Sequence, residues 1–500
     1  MIKTDVIIIG GGSTGCGIAR DLALRDIPHC LIEKGDFAAG ATGACQGLLH
    51  SGGRYAVNDP EAAAECISEN MILRKIGIKC VEQTGGLFVR LPGDSKRFRD
   101  MFLKSCEETG ISTEVLSPSR ALELVPSLSP SLEEAIKVPD CSIDPFRLCM
   151  LNITSSQKRG GEILTHNRVI DIIREHGRCV GVKVQEESTS EVREIRGKII
   201  VNAAGAWGDN IASLAGSGVP MTLSKGSLIV TNHRLTNMVI NRLRPSSDGD
   251  IIVPNEAVCL AGTTSITVTD PDSSDVDPAE VDIIATQAQQ LLPEFVTTRL
   301  IRTYAGVRPL LKADGGDDRK ISRSFKIMDH KNGMFSIMGG KLTTYRLMAE
   351  KISDRVMEAL GLKTRCRTAE LPLEGQEELS GYPLCNRLKI LENIVCECEL
   401  VTADEVEKVA REIGTRHIGD IQHRTRLGMG PCQGGFCTYR ALGIMQETGK
   451  MTPEESMQVL REFLQRRFKG IKPALWGDQL REEQLVESIC LGILGMEQGQ

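Results

Sequence analysis

The sequence predicts an α/β chain, with a nucleotide-binding α/β domain at the front and a small helical, cysteine-bearing module at the back. Three observations carry this. Residues 4–15 read T-D-V-I-I-I-G-G-G-S-T-G, an apolar run that meets a glycine-rich turn. Two later segments, K-I-I-V-N-A-A-G-A-W (Lys198 to Trp207) and F-S-I-M-G-G-K-L-T-T-Y-R (Phe335 to Arg346), join a buried-type strand to small residues. Four cysteines near the C-terminus are spaced C-x-C (Cys396, Cys398) and, after 33 intervening residues, C-x-x-x-x-C (Cys432, Cys437).

In chain order, Asp5 to Ile9 fits a strand buried on both faces. Gly10, Gly12 and Gly15 follow at G-x-G-x-x-G spacing and lead into a helical pattern, Ile18 to Leu24. Gly10 allows the tight turn, Gly12 lets a pyrophosphate approach the backbone, and Gly15 lets helix and strand pack closely. A second strand, His29 to Ile32, ends in Glu33, placed to accept hydrogen bonds from a ribose hydroxyl. A glycine turn alone arises by chance in a chain with 50 glycines. Strand, turn, helix, strand and acid in order predict a Rossmann-type dinucleotide site, without separating FAD from NAD. The two later segments favour a flavin. Small residues after Lys198 let the backbone approach something flat. The helix after Gly340, with Tyr345, Met348, Ile352 and Val356 as its apolar stripe, would point its positive end at the N1 and C2 carbonyl side of a reduced flavin.

The composition is that of an ordinary soluble protein: 500 residues, 41% hydrophobic, 25% charged, net charge -6. A net negative charge argues against nucleic acid, which needs a basic face. With no basic leader and no apolar span of about 18 residues, the chain is expected to stay in the cytoplasm. Its 17 cysteines then read as reduced thiols, and those outside the quartet as small buried hydrophobes.

Arg54, Arg308, Arg323 and Lys341 are candidate cations at loop-like positions. Any one of them, beside Gly or Pro, is more often a solvated surface charge. Four together would cradle a phosphate dianion, whereas a single carboxylate needs only about one Arg. His50 lies four residues before Arg54, with His233 and His330 in weaker contexts.

C-x-C cannot place two ligands on one helical face, so both cysteine pairs are expected in loops. Val401 to Ile413 between them is helical in pattern, with Thr402 or Asp404 as its cap. Four thiolates bind an iron-sulfur cluster or zinc. Zinc favours about two to four residues within each pair, which C-x-C does not offer. Thr364 to Pro383 carries Pro372, Gly375, Gly381 and Pro383 and reads as a linker. The tail ends V-E-S-I-C-L-G-I-L-G-M, expected to pack intramolecularly, with a partner protein or a membrane surface as the other readings.

Roughly the first 360 residues resemble the FAD-dependent glycerol-3-phosphate dehydrogenases of the D-amino-acid oxidase-like superfamily. The strings that carry the resemblance are G-G-G-S-T-G, A-T-G-A-C-Q-G-L-L-H-S-G-G-R-Y (Ala41 to Tyr55), Y-A-G-V-R-P-L (Tyr304 to Leu310) and G-G-K-L-T-T-Y-R (Gly339 to Arg346). The cysteine module is similar to the [2Fe-2S] domain of bacterioferritin-associated ferredoxins. The resemblance implies an FAD-binding domain in segments of about 1–80, 140–210 and 330–365. An inserted α+β antiparallel substrate domain would occupy about 81–139 and 211–329. A linker (366–390), the [2Fe-2S] domain (391–450) and a helical tail (451–500) would follow.

It implies FAD contacts from Gly10, Gly12, Gly15, Glu33, Thr42, Gly43, Val169, Gly205, Gly340, Leu342 and Thr343. Arg54, Tyr55, Arg308, Arg323 and Lys341 match substrate ligands, and His50, Arg308 and Lys341 the catalytic group. His50 would take the hydroxyl proton, or Arg308 would polarise that oxygen. Cys396, Cys398, Cys432 and Cys437 would hold the cluster. The implied reaction oxidises sn-glycerol 3-phosphate to dihydroxyacetone phosphate by hydride transfer to flavin N5. Electrons would pass through the cluster to a second flavoprotein subunit, to an iron-sulfur membrane-anchor subunit, then to a quinone. Those partners would hold the chain at the cytoplasmic face of the inner membrane. One departure stands out: the segment K-G-S-L-I-V carries Leu228 where single-subunit members tend to carry a histidine, which matches the anaerobic, multi-subunit branch. Two other readings remain open, an amine or imino-acid dehydrogenase with one carboxylate clamp, and a non-catalytic redox or iron sensor.

Overall fold

A computed structural model describes residues 2–311, 324–376, 392–412, 414–493 and 495. Its centre is the strand Val6–Ile9, all four residues buried. Side chains alternate across a strand, so Val6 and Ile8 enter a core with Ile18, Leu22 and Ile352. Ile7 and Ile9 enter a second core with Val182 and Ile195 on the opposite face. That is why the run reads as continuously apolar rather than alternating.

Around this strand the described residues form a six-stranded sheet in the order Glu162–Leu164, His29–Ile32, Val6–Ile9, Ile199–Asn202, Met334–Gly339, Phe325–Asp329. The pairs are parallel except the last, which is antiparallel. Helices Ser13–Leu24 and Tyr345–Leu360 cover one face. The expected stripe of the second helix, Tyr345, Met348, Ile352 and Val356, is buried.

A nine-stranded sheet among the described residues stands beside it. Its strands run antiparallel except Val239–Arg242, which pairs in parallel with Gly86–Arg90. Its longest ladder joins Met221–Thr231 to Leu300–Leu311. Helix Pro278–Leu291, started by a capping box at Asp277 and Glu280, packs against this sheet.

The C-terminal module opens with the short strands Ile394–Cys396 and Val401–Thr402. Helix Ala403–Ala410 follows, capped by Thr402 rather than Asp404, with Glu405 completing the capping box. Helices Ile418–Thr425, Cys437–Glu447 and Pro453–Ile471 enclose a core of Val406, Ile421, Leu460 and Phe468. The tail joins that core through Cys490 and leaves Leu485, Val486 and Ile489 exposed. No helix of the described residues is long and apolar enough to cross a membrane.

Candidate active site and cluster site

The two sheets enclose a cavity of about 1440 Å³. At one end its wall is largely backbone. Gly10, with φ +113°, turns the chain from strand to helix, and a Cβ there would meet the Ala203 carbonyl oxygen at 2.5 Å. A Cβ on Gly15 would lie 1.9 Å from the Gly10 carbonyl oxygen, so the helix can sit this close only with glycine. Gly10, Gly12, Ser13 and Thr14 line the cavity, placing the helix N-terminus at its edge. Ser13 N–H donates to Thr42 Oγ1 (3.0 Å), which fixes Thr42 in the wall.

Glu33 also lines this end. Its carboxylate accepts from Gly11 N–H (2.6 Å) and Gly35 N–H (2.8 Å). Desolvation pushes its pKa up, and those two N–H groups pull the other way. Val169 lines the cavity at a slip in the ladder between Val169 and Asp171. Gly205, Gly340 and Leu342 complete the expected set along the wall. Gly15, Gly43 and Thr343 lie behind it. A Cβ on Gly43 would strike the Ala38 carbonyl oxygen at 2.4 Å, and Thr343 Oγ1 accepts from His50 N–H (3.1 Å).

The other end is built from side chains. His50, Arg54, Tyr55, Arg308 and Lys341 all line the same cavity, whereas Arg323 lies outside the described residues. Arg54 Nη2 donates to the Ser247 carbonyl (3.3 Å) and faces Asp250 Oδ2 at 3.5 Å. Lys341 Nζ stands 5.1 Å from the Tyr55 ring centroid, and the His50 and Tyr55 rings are 5.2 Å apart. Arg308 is not in a loop. It sits inside Leu300–Leu311, opposite Ser224, and its Nη2 donates to Thr264 O (2.7 Å) and Thr263 Oγ1 (3.2 Å). The Gly and Pro near it make the segment read as a turn. Gly306 is instead a close-packing residue, since a Cβ there would lie 2.7 Å from the Ala44 carbonyl oxygen.

Gly226, also in the wall, carries no mark in the sequence. A Cβ at Gly226 would lie 1.6 Å from Arg308 Nη2, so this glycine makes room for the guanidinium. Asp250, fully buried and held by Arg244 and Ser247 N–H, is equally unmarked. Leu228 is buried in the sheet, outside the cavity wall. His233 pairs with Glu294 (3.5 Å) and His330 with Ser336 (2.8 Å), both away from the cavity.

The cysteines correct a second expectation. Cys396 ends a β-strand and Cys437 begins a helix, so only Cys398 and Cys432 occupy turns. Cys437 makes thiol contacts with Cys396 and Cys432, and Cys432 with Cys398. The described residues gather one trio of ligand atoms within 4.8 Å of each other, and the cysteines are not in it. Four thiols spread along a chain of contacts fit a two-iron cluster better than a single tetrahedral ion, whose ligands all lie about 4 Å apart. A Cβ on Gly430 would approach Cys398 Cβ to 2.4 Å, which accounts for a glycine beside the second pair.

The FAD dependent oxidoreductase family matches residues 5–350. The chain belongs to that family. A second match, to the BFD-like [2Fe-2S] binding domain, covers residues 394–447. The cofactors of this FAD-dependent oxidoreductase are accordingly FAD and a [2Fe-2S] cluster. It is 42% identical to the A subunit of anaerobic glycerol-3-phosphate dehydrogenase from Escherichia coli K12, over 100% of this chain and 98% of the relative. It is also 42% identical to the A1 subunit of anaerobic glycerol-3-phosphate dehydrogenase from Haloferax volcanii, over 96% of this chain and 89% of that one. The X-ray structure of the FAD-complexed glycerol-3-phosphate dehydrogenase from Bacillus halodurans shares the fold. It superposes with a TM-score of 0.67 at 24% identity, over 95% of this chain and 96% of that one.

The cluster module docks on the oxidoreductase body through buried ions that the sequence does not reveal. Arg426 donates to Glu399 Oε2 (2.9 Å), Asp144 Oδ2 (3.0 Å) and Asn255 Oδ1 (2.9 Å). Burial alone would push Asp144 up, but Arg426 and Arg147 more than offset it and hold the carboxyl below its usual range. Arg424 bridges to both oxygens of Asp36 at 2.8 Å, and His423 stacks on Phe146 with ring centroids 4.5 Å apart.

Proposed function

We propose that this chain oxidises sn-glycerol 3-phosphate to dihydroxyacetone phosphate and passes the electrons through its cluster to partner proteins and a quinone. One observation carries the reading. Arg54, Arg308 and Lys341, remote in sequence, line one cavity together with His50 and the glycine turn. Three cations are more than a lone carboxylate needs and suit a phosphate dianion. The Escherichia coli and Haloferax volcanii relatives support the same substrate and, by being subunits, membership of an assembly.

In this reading FAD supplies the two-electron acceptor and the [2Fe-2S] cluster a one-electron outlet. Gly10, Gly12, Thr42, Val169, Gly205, Gly340 and Leu342 would hold FAD, with Glu33 at its ribose and Gly15, Gly43 and Thr343 bracing the wall. Arg308, locked by Thr263 and Thr264, and Arg54, backed by Asp250, grip the phosphate, with Arg323 as a further cation. Lys341, over Tyr55, neutralises charge on the substrate. His50, set by the Thr343 hydroxyl, accepts the C2 hydroxyl proton. Cys396, Cys398, Cys432 and Cys437 hold the cluster.

The test is anaerobic addition of glycerol 3-phosphate, glycerol or an amino acid to the purified chain, followed by flavin absorbance at equilibrium. Bleaching with glycerol 3-phosphate and not with glycerol is expected. Bleaching by the amino acid alone would turn the reading toward an amine dehydrogenase, and no bleaching by any of them toward a sensor.

A further inference from the structure

We infer that the seam between the oxidoreductase body and the cluster module carries a divalent-metal site formed by His166, Glu187 and His417. One ligand atom from each lies within 4.8 Å of the other two. His166 immediately precedes the strand Asn167–Glu175, and Glu187 immediately follows its antiparallel partner Arg178–Glu186. The Glu187 N–H donates to the His166 carbonyl (3.0 Å), which fixes the two side by side. His417 comes from the other side, as the residue preceding helix Ile418–Thr425. The His166 and His417 rings stand 5.1 Å apart.

A second observation points to a ligand. His166 is 4% exposed, and its Nδ1 has no hydrogen-bond partner although Glu187 Oε2 is 3.4 Å away. Its Nε2 faces Asp420 Oδ2 at 3.2 Å. Asp420 is held in turn by the Arg416 and His417 N–H groups at 2.7 and 2.8 Å. A carboxylate on one ring nitrogen, with the other nitrogen turned toward a second candidate ligand, Glu187, is the arrangement by which proteins orient a metal-binding imidazole. Two imidazoles and one carboxylate suit zinc and leave a fourth position for water. Glu187 is exposed and His417 half-buried, so an ion can enter from solvent and the ligands can close the remaining distance. An ion there would join the two modules. The competing occupant is a proton, with His166 as an imidazolium between Asp420 and Glu187.

The experiment uses the full chain loaded with flavin and cluster, freed of loose metal by a mild chelator and dialysed against Zn²⁺. Zinc and iron are measured on the same sample. The expected result is one zinc per chain with iron unchanged. Glu187→Gln should weaken uptake, His417→Ala should abolish it, and Asp420→Asn should weaken it by about 10- to 100-fold. Unchanged flavin and cluster absorbance would show that each variant is folded. No zinc uptake, uptake only as iron is lost, or uptake indifferent to His417→Ala would each overturn the site and leave the proton as occupant.

Discussion

The two ends of the cavity are made differently. The glycine-turn end is a wall of backbone, closed by contacts such as Gly15 against Gly10 that no side chain could replace. The cationic end is a set of long side chains, each held by a different neighbour: Asp250 for Arg54, Thr263 and Thr264 for Arg308, Tyr55 for Lys341. The first end is fixed by local chain geometry and should fail as a unit. The second is assembled across long stretches of sequence and should fail in graded steps.

The largest effect is expected at the backbone end. Gly15→Ala puts a methyl group 1.9 Å from a backbone oxygen that has no rotamer to yield. It should cost about 1–3 kcal/mol of stability and release the flavin, read as flavin absorbance per protein. A variant that kept full flavin would show that this end adapts as the other does. Next, Arg308→Ala removes charge-assisted hydrogen bonds of about 1.5–3 kcal/mol. That corresponds to a fall of about 10- to 150-fold in kcat/KM for glycerol 3-phosphate, with flavin content unchanged. Gly226→Ala keeps the Arg308 charge but puts a methyl group 1.6 Å from its Nη2, so the guanidinium must shift on its Thr263 and Thr264 partners. A smaller rise in KM is therefore expected in steady-state assays. The mildest change is Asp250→Asn, which leaves Arg54 its Ser247 contact. The amide keeps an oxygen for Arg244 and Arg54 in place of the buried carboxylate, so a KM increase of a few-fold is expected, with kcat near that of the parent.

The same contrast governs what can be read from the sequence. Gly10, Gly12, Gly15 and Glu33 are legible because turn, helix and strand lie within one short stretch and each glycine answers a local steric demand. Arg308 is recognisable as a cation but reads as a loop residue. Its neighbours Gly306 and Pro309 resemble turn residues, and only the ladder with Met221–Thr231 shows them in a strand. Cys437 likewise reads as a loop residue, because the glycines before it hide that it opens a helix. Gly226, Asp250 and the Arg426 cluster leave no local signal. Gly226 and Arg426 answer to residues tens to hundreds of positions away, and Asp250, though held locally by Arg244 and Ser247, meets the cavity through Arg54, 196 residues off. The cysteine spacing is informative because ligand geometry is a short-range property.

The most direct measurement follows flavin and cluster absorbance separately after rapid anaerobic mixing with glycerol 3-phosphate, in the parent chain and in Cys432→Ser. The parent's flavin is expected to bleach first and the iron-sulfur band to follow it, while the variant's flavin bleaches and stays reduced. A parent cluster that remains oxidised beside a reduced flavin, or a flavin that glycerol 3-phosphate leaves oxidised in both, would contradict the proposed function.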